Sequence, residues 1–437
     1  MKENKSTIGY FKRIFYVYIS VIFIFSLLFV LPMNHKSEIS YIDSLFLSTS
    51  ALSVTGLSTI DIGSTLTKFG QTILMIEMQL GGIGILVLIS YLFILMGKKM
   101  SIDDLWLVKR DQNQSKTKTI GTLGLSILFI SLVIESIGFI LMYPTIKEHS
   151  SSTSEAIFTT IFHSIASFTN AGFDLFGNSL IDFQSSTLFI LITAALIFLG
   201  GIGYPTIMEY VFNFKGRKTV FTKVNVRFHF GLLSFATIIY LIVEWNNAFE
   251  KMDVKEKVTN AIFLGTTNRS AGLTTVEIGL LDSSTLFLMV GLMFIGGAST
   301  STAGGIRLTT FAVMLAKLKS VITGNQYTEL FKKNITEEVV NKSFLIFTMF
   351  IGLFFVSTFL LTLFETQSLT NISFETMSAL TNTGLTKGIT TDLTTPSKIT
   401  LIFLMIIGRI GIFSIIYLIF KLDKKHFKYV DENLIVG

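Results

Sequence analysis

Four glycines recur along the chain in nearly the same local sequence, each after small or hydroxylated residues and before Leu or Phe. Their chemistry is that of the main chain, because glycine keeps side chains out of a narrow passage and accepts backbone angles closed to other residues. Carbonyl oxygens of such segments can then face and coordinate a cation. The copies are SALSVTGL (50–57), SIASFTNAGF (164–173), GTTNRSAGL (265–273) and SALTNTGL (378–385), with the glycines Gly56, Gly172, Gly272 and Gly384.

A second glycine motif follows each of these segments at a nearly constant distance. The intervals from the first glycine are 25, 28, 24 and 24 residues. One such motif alone is explained by close packing of membrane helices through small residues, whereas four paired copies indicate a fourfold internal repeat. The copies are GGIG (81–84), GGIG (200–203), GGAS (296–299) and GRIG (408–411).

Each repeat is predicted to contain a spanning helix, a shorter amphipathic segment, an extended return strand and a second spanning helix. The shorter segments, such as 41–54 and 154–169, would be only about 20 Å long as helices, against a hydrocarbon core of about 30 Å. Non-helical backbone at that depth must line an aqueous path or be buried in protein. We therefore expect four pore helices around one pore, with their C-terminal ends favouring a cation over an anion.

The composition is that of a polytopic membrane protein. Half of the residues are hydrophobic and 15% are charged, against about 25% charged in soluble domains. Apolar runs long enough to span a bilayer recur, for example at 14–31, 123–142 and 344–364. The fold class is predicted to be all-α, with eight spanning helices and four pore helices. The chain has no cysteine, which excludes disulfides, thiolate metal sites and cysteine nucleophiles.

The distribution of basic residues predicts the topology. Of the 35 Lys and Arg residues, 25 lie in alternate connections and the other connections hold 9. The positive-inside rule places the basic connections and both termini in the cytoplasm. The net charge of +6 is thus a matter of topology and does not indicate a nucleic-acid partner. The basic stretches 98–118 and 215–227 are expected to lie beside membrane lipid.

The repeats and the segments between them divide the chain from end to end. The predicted boundaries are a cytoplasmic N-terminus (1–9), repeat 1 (10–97), a cytoplasmic linker (98–119), repeat 2 (120–214), a linker (215–224), repeat 3 (225–318), a linker (319–341), repeat 4 (342–420) and a cytoplasmic tail (421–437).

These motifs resemble the Trk/Ktr/HKT superfamily of potassium transporters over nearly the whole chain. The first span begins near Tyr10 without the two additional helices that usually precede it in Trk-type relatives, so a Ktr-type subunit of a bacterial plasma membrane is the closer match. The resemblance implies a potassium uptake protein with four M1-P-M2 units around a pseudo-fourfold pore. It implies a filter with potassium at the backbone carbonyls of Thr55, Gly56, Asn170, Ala171, Gly172, Ser270, Ala271, Gly272, Asn382, Thr383 and Gly384.

The third repeat extends its second motif to ten small and hydroxylated residues, GGASTSTAGG. A flexible, closely packed helix is the plainer interpretation. The resemblance instead implies an intramembrane loop that gates the ion path below the filter. The predicted gate residues are Gly296, Gly297, Ala298, Ser299, Thr300, Ser301, Thr302, Ala303, Gly304 and Gly305, together with Arg409 of the fourth copy.

Three polar residues near these motifs have more than one interpretation. Arg409 inside an apolar run costs about 2.5–3.5 kcal/mol on insertion scales, so it needs carbonyl contacts or an ion pair; its candidate carboxylates are Glu77, Glu135 and Glu209. Arg269 is predicted to support the filter or to lie at the external mouth. His163 is predicted to be a buried imidazole satisfied by neighbouring backbone rather than a proton relay or metal ligand.

The resemblance also implies partners and ions. It predicts a homodimer, a cytosolic nucleotide-binding regulatory ring of the KtrA/KtrC type, potassium as substrate and sodium as a coupling or activating ion, with no organic cofactor. One alternative is a sodium-preferring transporter, which in some plant relatives has serine where this chain has Gly56. The other is a membrane enzyme, although GGASTSTAGG lacks the Gly-Lys-Ser/Thr ending of a phosphate loop.

Overall fold

Helices make up most of the chain in this computed structural model, which describes residues 2–84, 120–213, 215–412 and 432. The predicted linker 98–119, the tail 421–437 apart from Glu432, and the ends of repeats 1 and 4 lie outside the described residues. The helices are α1 (Lys2–Val30), α2 (Tyr41–Ser53), α3 (Ile62–Thr65), α4 (Lys68–Ile83), α5 (Ile120–Glu148), α6 (Thr153–Phe168), α7 (Thr187–Gly201), α8 (Tyr204–Phe212), α9 (Val220–Glu244), α10 (Val254–Thr267), α11 (Ser283–Phe294), α12 (Leu308–Ile322), α13 (Glu337–Phe364), α14 (Leu369–Leu380) and α15 (Thr395–Ile410).

Several helices are long and apolar enough to cross a bilayer. Within the described ranges these are Ser126–Glu148 of α5, all of α9 and all of α13. Helices α7 and α8 together would form a fourth span, bent by 96° between them. Helix α9 begins inside the predicted linker 215–224 and α13 inside 319–341. The total of eight spans and the repeat boundaries remain predictions.

Four shorter helices precede the four glycine segments: α2, α6, α10 and α14, of 13, 16, 14 and 12 residues. Each begins at a residue whose side chain accepts a backbone N–H of the first turn, which satisfies a donor that the helix itself leaves free. The caps are Ser40, Ser152, Asp253 and Ser368. At 1.5 Å per residue these helices are about 18–24 Å long, too short to span. They match the predicted pore helices in position and length.

Four apolar clusters hold neighbouring repeats together. Each cluster combines fully buried residues from two consecutive repeats, and the fourth joins repeat 4 back to repeat 1. Their buried members include Leu74 with Phe162 for repeats 1 and 2, Phe189 with Phe263 for repeats 2 and 3, Met289 with Phe374 for repeats 3 and 4, and Phe46 with Met405 for repeats 4 and 1. The repeats therefore close into a ring.

The second glycine motif packs directly against the end of the pore helix. An added Cβ on the first glycine of the motif would overlap a carbonyl oxygen four residues before the filter glycine in repeats 1, 2 and 4. The pairs are Gly81 with Leu52, Gly200 with Phe168, and Gly408 with Leu380. The close packing that the sequence indicated for this motif is therefore present, and glycine is required for it.

The last glycine of the motif also ends a helix in three repeats. Gly84, Gly203 and Gly411 have φ of 91°, 88° and 88°, respectively, which a right-handed helix cannot continue. Gly203 separates α7 from α8, and Gly84 and Gly411 follow the last residues of α4 and α15. The sequence predicted an interruption of the second helix in repeat 3 alone.

A small hairpin connects repeats 3 and 4. Strand β1 (Thr328–Leu330) pairs antiparallel with β2 (Lys333–Ile335), with Thr328 opposite Ile335. The hydroxyl of Ser320 at the end of α12 makes hydrogen bonds to the carbonyls of Asn325 and Tyr327, at 2.8 and 3.0 Å. This hairpin is a small addition to the predicted all-α fold, and it lies in a segment predicted only as a cytoplasmic linker.

Candidate ion pathway

The four filter glycines meet at one point of the molecule. A Cβ added to Gly56 would lie 2.8 Å from the Cα of Gly172, and one added to Gly172 would lie 3.0 Å from the Cα of Gly272. A Cβ on Gly272 would lie 3.3 Å from the Cα of Gly384, and one on Gly384 would overlap the carbonyl oxygen of Thr55. The apices therefore contact one another in chain order and close a ring.

The four segments share an unusual backbone. The filter glycines have φ of 95°, 72°, 68° and 87° in chain order. The residue two positions earlier is left-handed in every repeat: Val54 (57°), Asn170 (58°), Ser270 (69°) and Asn382 (51°). Such angles are strongly disfavoured for a β-branched residue such as Val54 and occur where surrounding structure holds them. The sequence-based filter began at Thr55, so it omitted Val54, although aligning VTG with NAG, SAG and NTG would have found it.

Hydrogen bonds from the pore helices hold this backbone in place. The residue before each filter glycine donates its N–H to a carbonyl of the pore helix. The bonds are Thr55 to Ser50 (2.8 Å), Ala171 to Ala166 (2.9 Å), Ala271 to Thr267 (3.2 Å) and Thr383 to Ser378 (2.8 Å). The bond spans five residues in repeats 1, 2 and 4 and four residues in repeat 3, so each short helix leads directly into its glycine segment.

Side chains tie neighbouring filter segments to one another. The amide of Asn382 donates to the Thr55 hydroxyl and to the Met405 carbonyl, both at 2.9 Å. The Ser270 hydroxyl donates to the Thr381 carbonyl at 3.2 Å. These residues are fully or almost fully buried. Their side chains are engaged in holding the segments together, which leaves main-chain carbonyls as the groups available to an ion.

The predicted gate segment is irregular backbone between α11 and α12, as the loop interpretation expected and the continuous-helix interpretation did not. Ala298 and Thr302 donate their N–H groups to the carbonyls of Gly201 and Gly200, at 3.1 and 3.4 Å. Gly304 donates to the Ser270 hydroxyl at 3.0 Å. The loop therefore contacts the second glycine motif of repeat 2 and Ser270 of the predicted filter.

Arg409 contacts this loop from repeat 4. Its guanidinium donates to the carbonyl of Thr302 in the loop and to the carbonyl of Gly81 in repeat 1. This agrees with carbonyl contacts, one of the two roles that its sequence position suggested. The three candidate carboxylates bind other groups: Ser48 for Glu77, Gln79 for Glu135, and Thr219 with Thr222 for Glu209.

Two further sequence candidates are buried beside the filter. Arg269 is 3% exposed, and its guanidinium nitrogens make no hydrogen bond within the described residues. Burial argues against an exposed place at the mouth and leaves filter support as its predicted role. His163 contacts the hydroxyls of Thr193 and Ser167 at 3.2 and 3.4 Å and stacks on Phe189. Its recorded hydrogen-bond partners are thus side-chain hydroxyls, where the sequence predicted backbone.

The fold and the site together define a class. Apolar helices long enough to span a membrane pack against short helices whose following segments converge on one point, which is the architecture of an integral membrane transport protein. The chain belongs to the TrkH family of cation transport proteins, whose family model matches residues 6–429.

Relatives of this family cover almost the entire chain. The chain is 37% identical over 420 residues to Ktr system potassium uptake protein D of Bacillus subtilis, covering 94% of this chain and 93% of that protein. It is 32% identical over 442 residues to Ktr system potassium uptake protein B of Vibrio alginolyticus, covering 100% and 97%. It is also 32% identical over 422 residues to potassium/sodium uptake protein NtpJ of Enterococcus hirae, covering 94% and 93%.

The fold is also similar to a solved structure. The crystal structure of the potassium transporter TrkH from Vibrio parahaemolyticus matches with a TM-score of 0.76, covering 94% of this chain and 84% of that one. Sequence identity across this match is 19%, so the likeness concerns the fold alone.

Proposed function

We propose that this chain is the ion-conducting subunit of a potassium uptake system and that potassium passes through the ring of four glycine segments. The observation that carries the proposal is the convergence of Gly56, Gly172, Gly272 and Gly384 with one shared backbone geometry. The names of the Bacillus and Vibrio relatives as potassium uptake proteins support the choice of ion.

Selectivity is proposed to arise from the main chain. Carbonyl oxygens of the eleven predicted filter residues replace the water around a dehydrated potassium ion. The C-terminal ends of the four pore helices carry partial negative charge toward the same point, which favours a cation. Glycine at position 56, in place of the serine of sodium-preferring plant relatives, supports potassium over sodium.

Control is proposed to lie in the segment 296–305 with Arg409. The contacts of this segment with Ser270, Gly200 and Gly201 support this proposal, because they bring irregular backbone beside a residue of the predicted filter and the second glycine motif of repeat 2. Arg409 adds a bond to Thr302 from a different repeat. A loop held by bonds from three repeats can occlude the path in one arrangement and clear it in another.

The proposed setting is a bacterial plasma membrane, with eight spans, four pore helices and both termini in the cytoplasm. A second copy of this chain and a cytosolic nucleotide-binding ring are the proposed partners, because the similar Bacillus and Vibrio proteins are named as parts of a Ktr system. Sodium is proposed as a coupling or activating ion.

The deciding experiment is ion flux into lipid vesicles that contain only the purified chain. We expect potassium entry down a gradient, with sodium entering more slowly, in the absence of any chemical turnover. Sodium preference is the second candidate, favoured by the name of the Enterococcus relative as a potassium/sodium uptake protein. Faster sodium than potassium entry would establish it. Flux of neither ion by folded protein would contradict both, and turnover without flux would restore the enzyme alternative.

A further inference from the structure

The segment after each filter glycine makes the same turn in all four repeats. The residue two positions beyond the glycine carries an oxygen that accepts the backbone N–H two residues further on. These residues are Ser58, Asp174, Thr274 and Thr386, with bonds of 3.2, 2.9, 3.2 and 2.9 Å from the N–H groups of Ile60, Phe176, Val276 and Gly388. The first motif therefore extends to a polar residue two positions after the glycine, a signal that is visible in the sequence.

The hydroxyl of this residue donates to a different acceptor in repeat 4. Ser58 donates to the carbonyl of Ile60 at 2.7 Å, and Thr274 donates to the carbonyl of Val276 at 2.5 Å. In repeats 1 and 3 the turn is thus closed on itself. Thr386 instead donates to the carboxyl group of Glu375, which lies on pore helix α14. The turn of repeat 4 is therefore bonded to the helix behind it.

Glu375 accepts further hydrogen bonds from the same turn. It is fully buried, and its Oε1 accepts the N–H of Lys387 at 3.0 Å. Its Oε2 accepts the hydroxyl of Thr390, also at 3.0 Å. An ionised carboxylate only accepts hydrogen bonds, so a turn that offers three donors matches it. Bonds to a charged acceptor are about twice as strong as neutral ones.

The other pore helices have no comparable group at this position. Glu375 lies nine residues before its filter glycine, where repeats 1 and 3 have the apolar, fully buried residues Leu47 and Phe263. Repeat 2 has His163, whose ring approaches Phe176 of the return segment at 5.6 Å between ring centroids. Of the four equivalent positions, that of repeat 4 brings a carboxylate to the return segment.

We propose that Glu375 is a positioning residue that fixes the outer end of the repeat 4 filter segment and thereby sharpens the discrimination between potassium and sodium. The inner end of this segment is already held by the bonds of Asn382 to Thr55 and Met405. Glu375 holds the outer end through Thr386, Lys387 and Thr390. The inference rests on the proposed function, because it assigns a task within the filter proposed there.

The test measures potassium and sodium entry in vesicles for the full chain and its variants. Glu375→Leu installs the residue that repeat 1 has at this position. We expect its potassium-to-sodium ratio to fall about tenfold, the change that corresponds to about 1.4 kcal/mol. Glu375→Gln retains an oxygen for Lys387 and Thr386 and can donate to Thr390, so its ratio should stay within about twofold of the unaltered chain.

Glu77→Leu is the matched control for burial. Glu77 is also fully buried, but its bond goes to Ser48 at 2.5 Å and to no return segment. Its removal leaves Ser48 with the carbonyl of Ile22 as an acceptor at 2.9 Å. A purely structural role for buried carboxylates predicts that neither leucine variant changes the ratio of the protein that folds. That result would overturn the proposal.

A second pair of variants keeps the test decisive if Glu375→Leu does not fold. Thr386→Val removes the donor to Glu375, whereas Thr274→Val removes the same turn bond in repeat 3, where the position equivalent to Glu375 is Phe263. The proposal requires Thr386→Val to lower the ratio at least about threefold more than Thr274→Val. Equal effects would overturn it. If the unaltered chain does not prefer potassium, the proposed function is wrong whatever the Glu375 variants show.

Discussion

At the scale of single residues, the proposed filter depends on the close approach of main chains from neighbouring repeats. The Cβ of any residue at position 56 would lie 2.7 Å from the carbonyl oxygen of Ala171 and 2.8 Å from the Cα of Gly172. The backbone there, with φ of 95°, is also strained for any residue with a side chain. Substitution must therefore move either Gly56 or the neighbouring repeat.

Gly56→Ser is expected to lower the potassium-to-sodium permeability ratio by about tenfold. The added side chain should displace a carbonyl that coordinates potassium, and a loss of about 1.4 kcal/mol in coordination corresponds to a factor of ten. Flux competition in vesicles measures it. Gly352→Ser on α13 is the control, since an added Cβ there meets no atom within 4 Å. An unchanged ratio in folded Gly56→Ser protein would remove this glycine from the filter.

For Arg409, loss of the positive charge and loss of the hydrogen bonds are both expected to raise potassium flux. Arg409→Met keeps an apolar stem and removes the bonds to Thr302 and Gly81 together with the positive charge. We expect potassium flux to rise by about fivefold to tenfold, because the bond from this charged donor to Thr302 holds the loop by about 1.5–3 kcal/mol and part of this is recovered by water. The potassium flux of Arg409→Lys, which keeps the charge, should lie between that of the unaltered chain and that of Arg409→Met. Unaltered flux in Arg409→Met would contradict a gating role.

At the scale of elements, the short helices and their following turns were predictable, since the glycine motif and the polar caps are local signals. The breaks at Gly84, Gly203 and Gly411 were not, because glycine in a membrane helix serves close packing as readily as a bend. Both uses occur within one GGIG motif here. The contacts of Arg409 were also beyond sequence reasoning, since Gly81 is 328 residues away.

The loop between α11 and α12 is predicted to control flux without setting selectivity. Deletion of Ser299–Ser301 removes the tip, in which Ser299 and Thr300 are partly exposed and Ser301 is buried, and leaves Ala298 and Thr302, which anchor the loop to repeat 2. We expect flux to increase several-fold, on the order of the factor of ten that 1.4 kcal/mol represents. The potassium-to-sodium ratio should be unchanged, because the Ser270 bond to Thr381 remains. Equal flux with and without the tip would contradict the gate.

At the scale of the whole molecule, repeat 4 closes on repeat 1 through several independent contacts. Lys398 forms a salt bridge with Asp43 at 2.7 Å, at the N-terminal ends of α15 and pore helix α2. Asn382 reaches Thr55 in the filter itself. The cost of closing such a long loop grows only slowly with its length, so a few buried contacts suffice. The sequence repeat predicted a ring, but which residues close it depended on the folded structure.

Helix α12 follows the loop directly, and a regulatory ring is proposed to act near its far end. At that end α12 is bonded to α13, and the hairpin after it contacts α9. Lys317 pairs with Glu337 of α13 at 3.1 Å, and Arg227 of α9 lies over the ring of Phe331 in the hairpin at 4.7 Å. A force applied to α12 or to the hairpin would therefore reach the loop, α9 and α13 together, which is the coupling that a bistable gate requires.

The corresponding prediction is that a nucleotide-binding ring changes potassium flux through this chain and that the change depends on the hairpin. A ligand shifts a gate only by its difference in affinity for the open and closed states. A nucleotide that changes flux, ATP or ADP, should therefore bind these two states of the assembled system with different affinity. Ser320→Ala removes the bonds from α12 to the carbonyls of Asn325 and Tyr327. We expect it to reduce the nucleotide response by about half to one order of magnitude, as loss of about 1 kcal/mol of coupling would. The flux ratio of potassium to sodium should not change, because Ser320 lies far along α12 from the filter contacts of the loop.

Reconstitution of the chain with its candidate ring measures both the nucleotide response and the flux ratio. If neither nucleotide alters binding or flux while both proteins are folded, control by such a ring is wrong, and an unaltered nucleotide response in Ser320→Ala would show that the hairpin does not transmit it.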